Sequence, residues 1–200
     1  MFPFCLRDAL HVRLVRLLLC WRFKSFGTGV RILSPLDLIG PENISIGNDV
    51  YVGHQTTLAA TPLTHNRPAL LTIGEGTHIG SFNHIYCTRR ITLGKDVLTA
   101  NGVYISDNLH EYTDSRTTII RQPIRQIGDV EIGDGAWLGH SCCIIGARVG
   151  RHSVVGANAV VTRDIPDYAV AVGMPAVIIK RFDEATQNWR LTHPDGSFRD

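Results

Sequence analysis

The chain has few cysteines, little net charge and no low-complexity segment, and each shortage excludes a class of protein. Its 200 residues include only five cysteines, without a CxxC spacing: Cys5, Cys20, Cys87, Cys142 and Cys143. This set indicates reduced thiols in a cytoplasmic protein and not a disulfide framework. A net charge of +2, with basic residues scattered after position 24, gives no support for nucleic-acid binding. The length suits one domain with appendages.

The sequence does have a six-residue repeat: an aliphatic residue, glycine, two free positions, then a small or short-branched residue. Seven segments fit strictly and begin at Ile46, Val52, Ile73, Leu93, Ile132, Val149 and Val155; looser units begin at Ile79, Ile105 and Leu138. So short a repeat cannot bury its own apolar side chain and must stack on copies of itself, which predicts a solenoid. Three units would form one triangular coil of about eighteen residues, with the first and fifth residues pointing to its axis. A sandwich would instead show turn signals every eight to twelve residues or so.

The repeat is interrupted at residues 59–72 and 106–129, and Val149 comes one residue early after Ile144. Interruptions of a stacked coil must leave its surface as loops, which often carry function. After the repeats, residues 182–191 indicate a short C-terminal helix, and residues 193–197 a loose tail. We therefore predict three parts: 1–25 as an N-terminal helix, 26–180 as the coil, and 181–200 as the C-terminal helix and tail.

Residues 6–22 indicate an amphipathic helix. Its apolar face comprises Leu6, Leu10, Leu14, Leu17, Leu18 and Trp21, and its arginines are Arg7, Arg13, Arg16 and Arg22. The helix would be about 25 Å long, shorter than a bilayer core of about 30 Å. With its arginines and without a small-residue cleavage site, it matches neither a membrane span nor a signal peptide. Two roles stay open: a cap on the end of the coil, which we favour, or a contact with an anionic membrane surface.

The interruption after Ile105 carries the clearest catalytic candidate. It contains His110 between the carboxylates Asp107 and Glu111. A neutral imidazole can take a proton from a hydroxyl near neutral pH, and a carboxylate can fix its tautomer. A histidine in a polar loop is more often only a solvated side chain, and Asp107 could equally be a loop-stabilising turn residue.

Several segments together resemble the hexapeptide-repeat acyltransferases, above all the sugar O-acetyltransferases that act on galactosides, maltose, lipopolysaccharide and capsule. The resemblance covers residues 26–182. It rests on the repeats, the His110 loop, VEIGDGAWLG (130–139), VGANAVVTRDIPDYA (155–169) and VGMPAVIIKRF (172–182). It implies an all-β fold, a left-handed parallel β-helix, assembled as a homotrimer that binds acetyl-CoA between neighbouring coils. The handedness comes from the resemblance, because ordinary crossovers are right-handed.

The resemblance also implies roles for single residues. His110 would be the general base, with Asp107 as the first choice to orient it and Glu111 as the second, and no covalent acyl-enzyme is implied. The implied acceptor-binding residues are Asn83, Ser81 and Glu111, and the implied cofactor-binding residues are Trp137, Gly139, Ala157, Thr162, Arg163 and Lys180. Trp137 would line the donor–acceptor tunnel, while Arg163 and Lys180 would lie at the nucleotide end. Val177 stands where the galactoside type has a second arginine, so we expect fewer phosphate contacts.

Other functions are weighed against this one. The γ-class carbonic anhydrases share the scaffold but need two histidines five residues apart, and His78 and His84 are six apart, so we expect no metal. A serine acetyltransferase would usually place a sizeable helical domain ahead of the coil. An antibiotic or xenobiotic acetyltransferase and a non-catalytic interaction module stay open. The arginine-rich helix favours a glycan or lipid-linked acceptor at the inner membrane surface; the sequence does not identify the acceptor.

Overall fold

The computed structural model describes residues 6–33, 37–64 and 68–199. The predictions that concern Cys5 and residues 65–67 of the first loop lie outside the described residues, as do the side chains of Leu6, Arg7 and Leu10.

Three sheets, whose strands run parallel within the coil, form its three faces. Face A consists, in spatial order, of β1 (Ser25–Phe26), β4 (Ile44–Ile46), β7 (Leu70–Ile73), β10 (Arg90–Leu93), β15 (Val130–Ile132) and β18 (Arg148–Val149). Face B consists of β2 (Arg31–Ile32), β5 (Tyr51–Val52), β8 (His78–Ile79), β11 (Leu98–Thr99), β16 (Trp137–Leu138), β19 (Val154–Val155), β21 (Ala169–Val172), β22 (Val177–Asp183) and β23 (Asn188–Leu191). Face C consists of β3 (Asp37–Ile39), β6 (Thr57–Ala60), β9 (His84–Cys87), β12 (Tyr104–Ser106), β17 (Cys143–Ile145) and β20 (Val160–Val161). Because the chain visits the faces in turn, each round adds one strand to every face.

The remaining elements lie at the ends and in the loops. They are α1 (Leu6–Leu19), the 3₁₀ turns Cys20–Arg22, Pro41–Asn43 and Ile119–Arg121, and the antiparallel pair β13 (Asn108–His110) and β14 (Ile124–Gln126).

The core is the stack of repeat residues that the sequence predicts. The first residue of every strict unit is at most 2% exposed, and so is the fifth: Val50, Thr56, Thr77, Val97, Ala136, Ser153 and Ala159. Burial of each aliphatic side chain contributes roughly 1.5–3 kcal/mol, so these stacked rows of inward side chains supply much of the stability. The predicted inward pattern is therefore confirmed.

Glycine in the second position is required by the next coil. A Cβ on Gly133 would lie 2.4 Å from the amide nitrogen of Arg151, and one on Gly150 would lie 2.3 Å from that of Asp167. Real Cβ atoms do not approach backbone so closely, so only glycine lets successive coils stack at this corner.

The fourth position, which the sequence pattern leaves free, is constrained as well. In all seven strict units this residue has a positive φ: Asp49, Gln55, Gly76, Asp96, Gly135, His152 and Asn158. Glycine, asparagine and aspartate adopt this conformation most readily, which accounts for five of the seven. At the short turn after Ile144, Gly146 has φ +59° and takes the same role. Upstream of it, Cys142 is buried in the coil and Cys143 lies half-buried.

The N-terminal helix α1 packs on the first coil with a different residue from those predicted. Leu19 and Phe23 join the core, whereas the predicted apolar face stays exposed: Leu14 by 44%, Leu17 by 75%, Leu18 by 60% and Trp21 by 76%. The helix thus contacts the coil as a cap would, but the described residues leave Leu14, Leu17, Leu18 and Trp21 uncovered. No helix in the described ranges is long and apolar enough to cross a bilayer.

The prediction of a short C-terminal helix over residues 182–191 is wrong. β22 pairs antiparallel with β21 and then with β23, so the chain forms a hairpin that extends face B beyond the last coil. The ring of Phe182 lies 5.8 Å from that of Trp189, its cross-strand partner. The unpaired edge of β21 offers hydrogen bonds that a helix could not use, and the β-branched and aromatic residues of 177–183 suit a strand. The tail is also ordered, because Thr192 bridges to Phe198 and His193 donates to the Ser197 carbonyl.

Candidate active site

His110 lies on a hairpin that leaves the coil at the corner between face C and face A. The hairpin pairs β13 with β14 and places His110 opposite Ile124. It follows β12 directly and returns to the coil at β15. The candidate base is therefore held by strand pairing and not by an irregular loop.

The carboxylate of Asp107 anchors the start of this hairpin. It is fully buried and accepts hydrogen bonds from the backbone amides of Thr88, Arg89 and Arg90 at 2.8–2.9 Å. It also accepts from the Thr88 hydroxyl and the Asn108 side-chain amide, both at 2.9 Å. These donors belong to the turn of the preceding coil and to the first hairpin residue. No hydrogen bond joins Asp107 to His110 among the described residues, so its oxygens serve the loop-stabilising role that the sequence left open.

Gln126 anchors the returning strand to the same point. Its Nε2 donates to the carbonyl of Asp107 at 2.7 Å, and its Oε1 accepts from the Thr64 hydroxyl. The Thr88 hydroxyl, whose one proton Asp107 and Gln126 share, lies 3.0 Å from the same Oε1. The amide of Ile127 donates to the same carbonyl at 3.0 Å. Both strands of the hairpin are thus fixed at one buried cluster, which orients the loop that carries the histidine.

The imidazole of His110 is exposed, and within the described ranges it takes part in no hydrogen bond or ion pair. It borders a cleft of about 430 Å³. Tyr86 and Tyr104 form one wall from face C, with ring centroids 6.0 Å apart, while Leu109 and Ile124 of the hairpin form part of the other. An imidazole with both nitrogens unpaired beside a cleft can accept a proton from a bound hydroxyl.

Cys87 also borders this cleft, but it is no nucleophile. Burial, together with the charge of the nearby Asp107 carboxylate, raises the pKa of its thiol to about 12. The thiolate is the reactive form of cysteine, so this side chain stays unreactive at neutral pH.

Glu111, the second candidate to orient His110, has structural partners of its own. Glu111 accepts hydrogen bonds from the amides of Tyr112 and Thr113 and lies 3.5 Å from Arg125. The bond from the Tyr112 amide is the main cause of the lowered pKa of Glu111. The carboxylate therefore stabilises its own turn and is not hydrogen-bonded to His110.

The predicted acceptor residues Asn83 and Ser81 lie at a different corner, between faces B and C. Asn83 is 1% exposed; its Nδ2 donates to the Ala100 carbonyl and its Oδ1 accepts from the Val103 amide. The Ser81 hydroxyl accepts from the His54 amide. Asn83 has no free polar atom for an acceptor, so its buried position does not fit the expected role; it holds one coil to the next.

The six predicted cofactor-binding residues fall into three groups. Trp137 and Lys180 point outward on face B. They lie in one row across neighbouring strands, because Trp137 pairs with Val154, Val154 with Val170, and Val170 with Lys180. Gly139 and Ala157 stack at the next corner, where a Cβ on Gly139 would lie 2.6 Å from the Ala157 nitrogen. The third group, Thr162 and Arg163, follows β20 beyond face C and is exposed. One chain therefore does not bring all six to a single site.

Nothing in the sequence singled out Tyr86, Tyr104 or Gln126. The two tyrosines are aromatic residues at outward positions of face C, where coils usually carry polar residues; this signal could have identified them. Gln126 carries no local signal, because its role depends on contacts with Thr64 and Thr88, far away in sequence. Among residues 6–33, 37–64 and 68–199, no group of three or more metal-ligating side chains stands together.

Comparison with known proteins finds similarity to hexapeptide-repeat proteins and to acetyltransferases. A protein-family model described as "Hexapeptide repeat of succinyl-transferase" matches residues 129–163. The chain is 34% identical over 155 residues to "Probable acetyltransferase Rv3034c" of Mycobacterium tuberculosis, covering 77% of this chain and 48% of that protein. It is 32% identical over 122 residues to "Putative lipopolysaccharide biosynthesis O-acetyl transferase WbbJ" of Escherichia coli, covering 58% and 62%. The chain thus spans about half to two thirds of the length of these relatives.

Solved structures show the same architecture. The structure of AntD, an N-acyltransferase from Bacillus cereus in complex with dTDP and 3-hydroxybutyryl-CoA, superimposes with a TM-score of 0.71 at 20% identity, covering 93% of each chain. The predicted fold class, a left-handed parallel β-helix, is thereby confirmed.

Proposed function

Because the chain belongs to the hexapeptide-repeat acetyltransferase family, we propose that it transfers an acetyl group from acetyl-CoA to a hydroxyl of a sugar or glycan. The observation that carries the proposal is His110, whose exposed and unpaired imidazole borders a cleft on a rigidly anchored hairpin. The relatives named as acetyltransferases support the donor, and the lipopolysaccharide O-acetyltransferase supports the class of acceptor.

The chemistry is a direct transfer. A neutral imidazole nitrogen of His110 removes the proton of the acceptor hydroxyl as its oxygen attacks the thioester carbonyl carbon. The tetrahedral intermediate collapses, the carbon–sulfur bond breaks, and the proton passes from the imidazolium to the departing sulfur of coenzyme A. Such a base typically contributes a factor of about 10²–10⁴, and holding both substrates together supplies much of the rest. No cysteine takes part, which agrees with the raised pKa of Cys87.

The donor site is proposed to lie between copies of the chain in a homotrimer. Trp137 and Lys180 lie on face B, whereas Thr162 and Arg163 lie beyond face C. Two neighbouring copies that face each other across these surfaces would supply both groups to one coenzyme. The expected location is the cytoplasm, with peripheral contact of α1 at the inner membrane surface.

The test is binding of acetyl-CoA to the purified protein, measured by calorimetry with coenzyme A for comparison. We expect micromolar binding, followed by release of free thiol when sugar acceptors are added. His110→Ala should leave acetyl-CoA binding unchanged and lower kcat by about 10²–10⁴. His193→Ala, a change in the exposed C-terminal tail, is the matched control and should change neither quantity.

Two results would contradict the proposal. Failure of the folded protein to bind acetyl-CoA would favour a non-catalytic interaction module. Transfer to hydroxyls of antibiotics but to no sugar or glycan would favour a xenobiotic acetyltransferase on the same scaffold.

A further inference from the structure

The cleft beside His110 continues along face C towards the N-terminal end of the coil. Ile39, Ala59 and Tyr86 stand in register on the neighbouring strands β3, β6 and β9, and all three border the cleft. Two strand spacings separate Tyr86 from Ile39, a distance of about 10 Å. The cleft is therefore long enough to take more than the group that reacts.

Most of the exposed surface of the cleft is apolar, although threonine and tyrosine side chains also border it. Leu63 is 61% exposed, Ile39 40%, Tyr86 37% and Leu109 36%. Among the described residues that border the cleft, none is an aspartate, glutamate, lysine or arginine. Exposed apolar surface that converges on one site usually marks the place of an apolar ligand or partner.

The far end of the cleft lies on the coil that carries α1. Ile39 belongs to β3 and Arg31–Ile32 form β2 of that same coil, against which α1 packs. Leu17, Leu18 and Trp21 are exposed at this end of the molecule. The far end of the cleft and the exposed side chains of α1 thus lie at the same end of the molecule.

We propose that the cleft binds the hydrocarbon chain of a lipid-linked sugar. The sugar hydroxyl meets His110, and the hydrocarbon chain runs over Leu63 and Ile39. The role of this lipid as the acceptor rests on the proposed acetyl transfer, whereas binding of its hydrocarbon chain in the cleft does not. A nucleoside diphosphate sugar would need cations for its phosphates, and the described lining offers none.

The experiment compares two ligands that differ only in their apolar part. Binding of octyl glucoside, kept below its micelle concentration, is measured by calorimetry beside methyl glucoside. We expect at least tenfold tighter binding of the octyl compound, which corresponds to burial of about two methylene groups. Leu63→Ser and Ile39→Ser should each abolish most of this difference.

The matched control is Leu191→Ser. Leu191 is 53% exposed on β23 at the opposite end of the coil, and the control should keep the full preference for the octyl compound. His110→Ala should also keep the preference for the octyl compound, because the octyl chain contacts the apolar residues of the cleft and not the imidazole. If acetyl-CoA fails to bind while the octyl preference holds, the proposed transfer fails and the lipid-binding cleft stands.

Three outcomes would overturn the inference. The first is equal or absent binding of the two glucosides, or an equal loss in Leu191→Ser. The second is displacement of octyl glucoside by a nucleoside diphosphate sugar. The third is a lower sedimentation mass of the Leu63→Ser and Ile39→Ser variants, which would show that a second copy of the chain covers this surface.

Discussion

Asp107 illustrates how one side chain can determine the position of another without touching it. Asp107→Asn replaces one of its two accepting oxygens by an NH₂ group, which would face amides that also donate. We expect a loss of about 3 kcal/mol in the free energy of unfolding, measured by urea denaturation, and a fall in kcat. Asp129→Asn is the control, because that carboxylate pairs with Arg89 at the surface and should cost less than about 1 kcal/mol. Equal losses in the two variants would contradict the anchoring role.

A second prediction for single residues concerns the reactivity of the buried thiols of Cys87 and Cys142. Burial raises the pKa of Cys87 and of Cys142 to about 12, so both thiols stay protonated at pH 8. Peptide mass spectrometry after treatment with iodoacetamide should therefore find both thiols unmodified in the native protein and modified after denaturation. The same raised pKa values affect the free energy of unfolding. The contribution of these thiols to it is fully present below the unfolded pKa of 9.0 and is lost as the pH rises from there to about 12. Rapid alkylation of native Cys87 would show that the cleft is open to the thiol.

At the level of the repeat, the spacing between coils depends on glycine in the second position. Gly133→Ala would push a methyl group into the backbone of Arg151, and we expect a loss of about 3 kcal/mol in the free energy of unfolding. Gly173→Ala is the comparison, since its φ of +98° strains alanine but the nearest atom is 3.4 Å away. That change should cost only about 1 kcal/mol. A smaller loss for Gly133→Ala than for Gly173→Ala would contradict the stacking argument.

For the whole molecule, the exposed face of α1 predicts binding to anionic membranes. The paired change Arg13→Glu and Arg16→Glu should weaken co-sedimentation with vesicles of phosphatidylcholine and phosphatidylserine. The expected loss is about 2 kcal/mol, or roughly thirtyfold, because each basic residue near the surface contributes about 1 kcal/mol. Arg116→Glu with Lys95→Glu changes the net charge equally on exposed side chains elsewhere and should have a smaller effect. Equal binding of all variants, or no binding by the native chain, would leave α1 as a cap alone.

The features that the sequence predicts well are those that every coil repeats. Inward aliphatic residues and close-packed glycines recur with a fixed period, so one unit informs all the others. The C-terminal hairpin was predicted as a helix because its strands depend on the free edge of β21, which no local pattern shows. Likewise, Asp107 and Gln126 are fixed by contacts with Thr88 on the preceding coil. The sequence did not reveal these long-range hydrogen bonds, because they form where the six-residue repeat is interrupted or ends.

The hairpin of β22 and β23 has a consequence for how the chains behave in concentrated solution. A parallel β-helix that stopped at its last coil would present rows of unpaired amide and carbonyl groups, ready to add strands from another chain end to end. Here the antiparallel hairpin covers the edge of face B, and the 198–199 segment folds back on Leu191 and Thr192. At the opposite end, α1 packs on the first coil. Both additions leave fewer strand edges open to the end-to-end growth by which stacked strands form fibres.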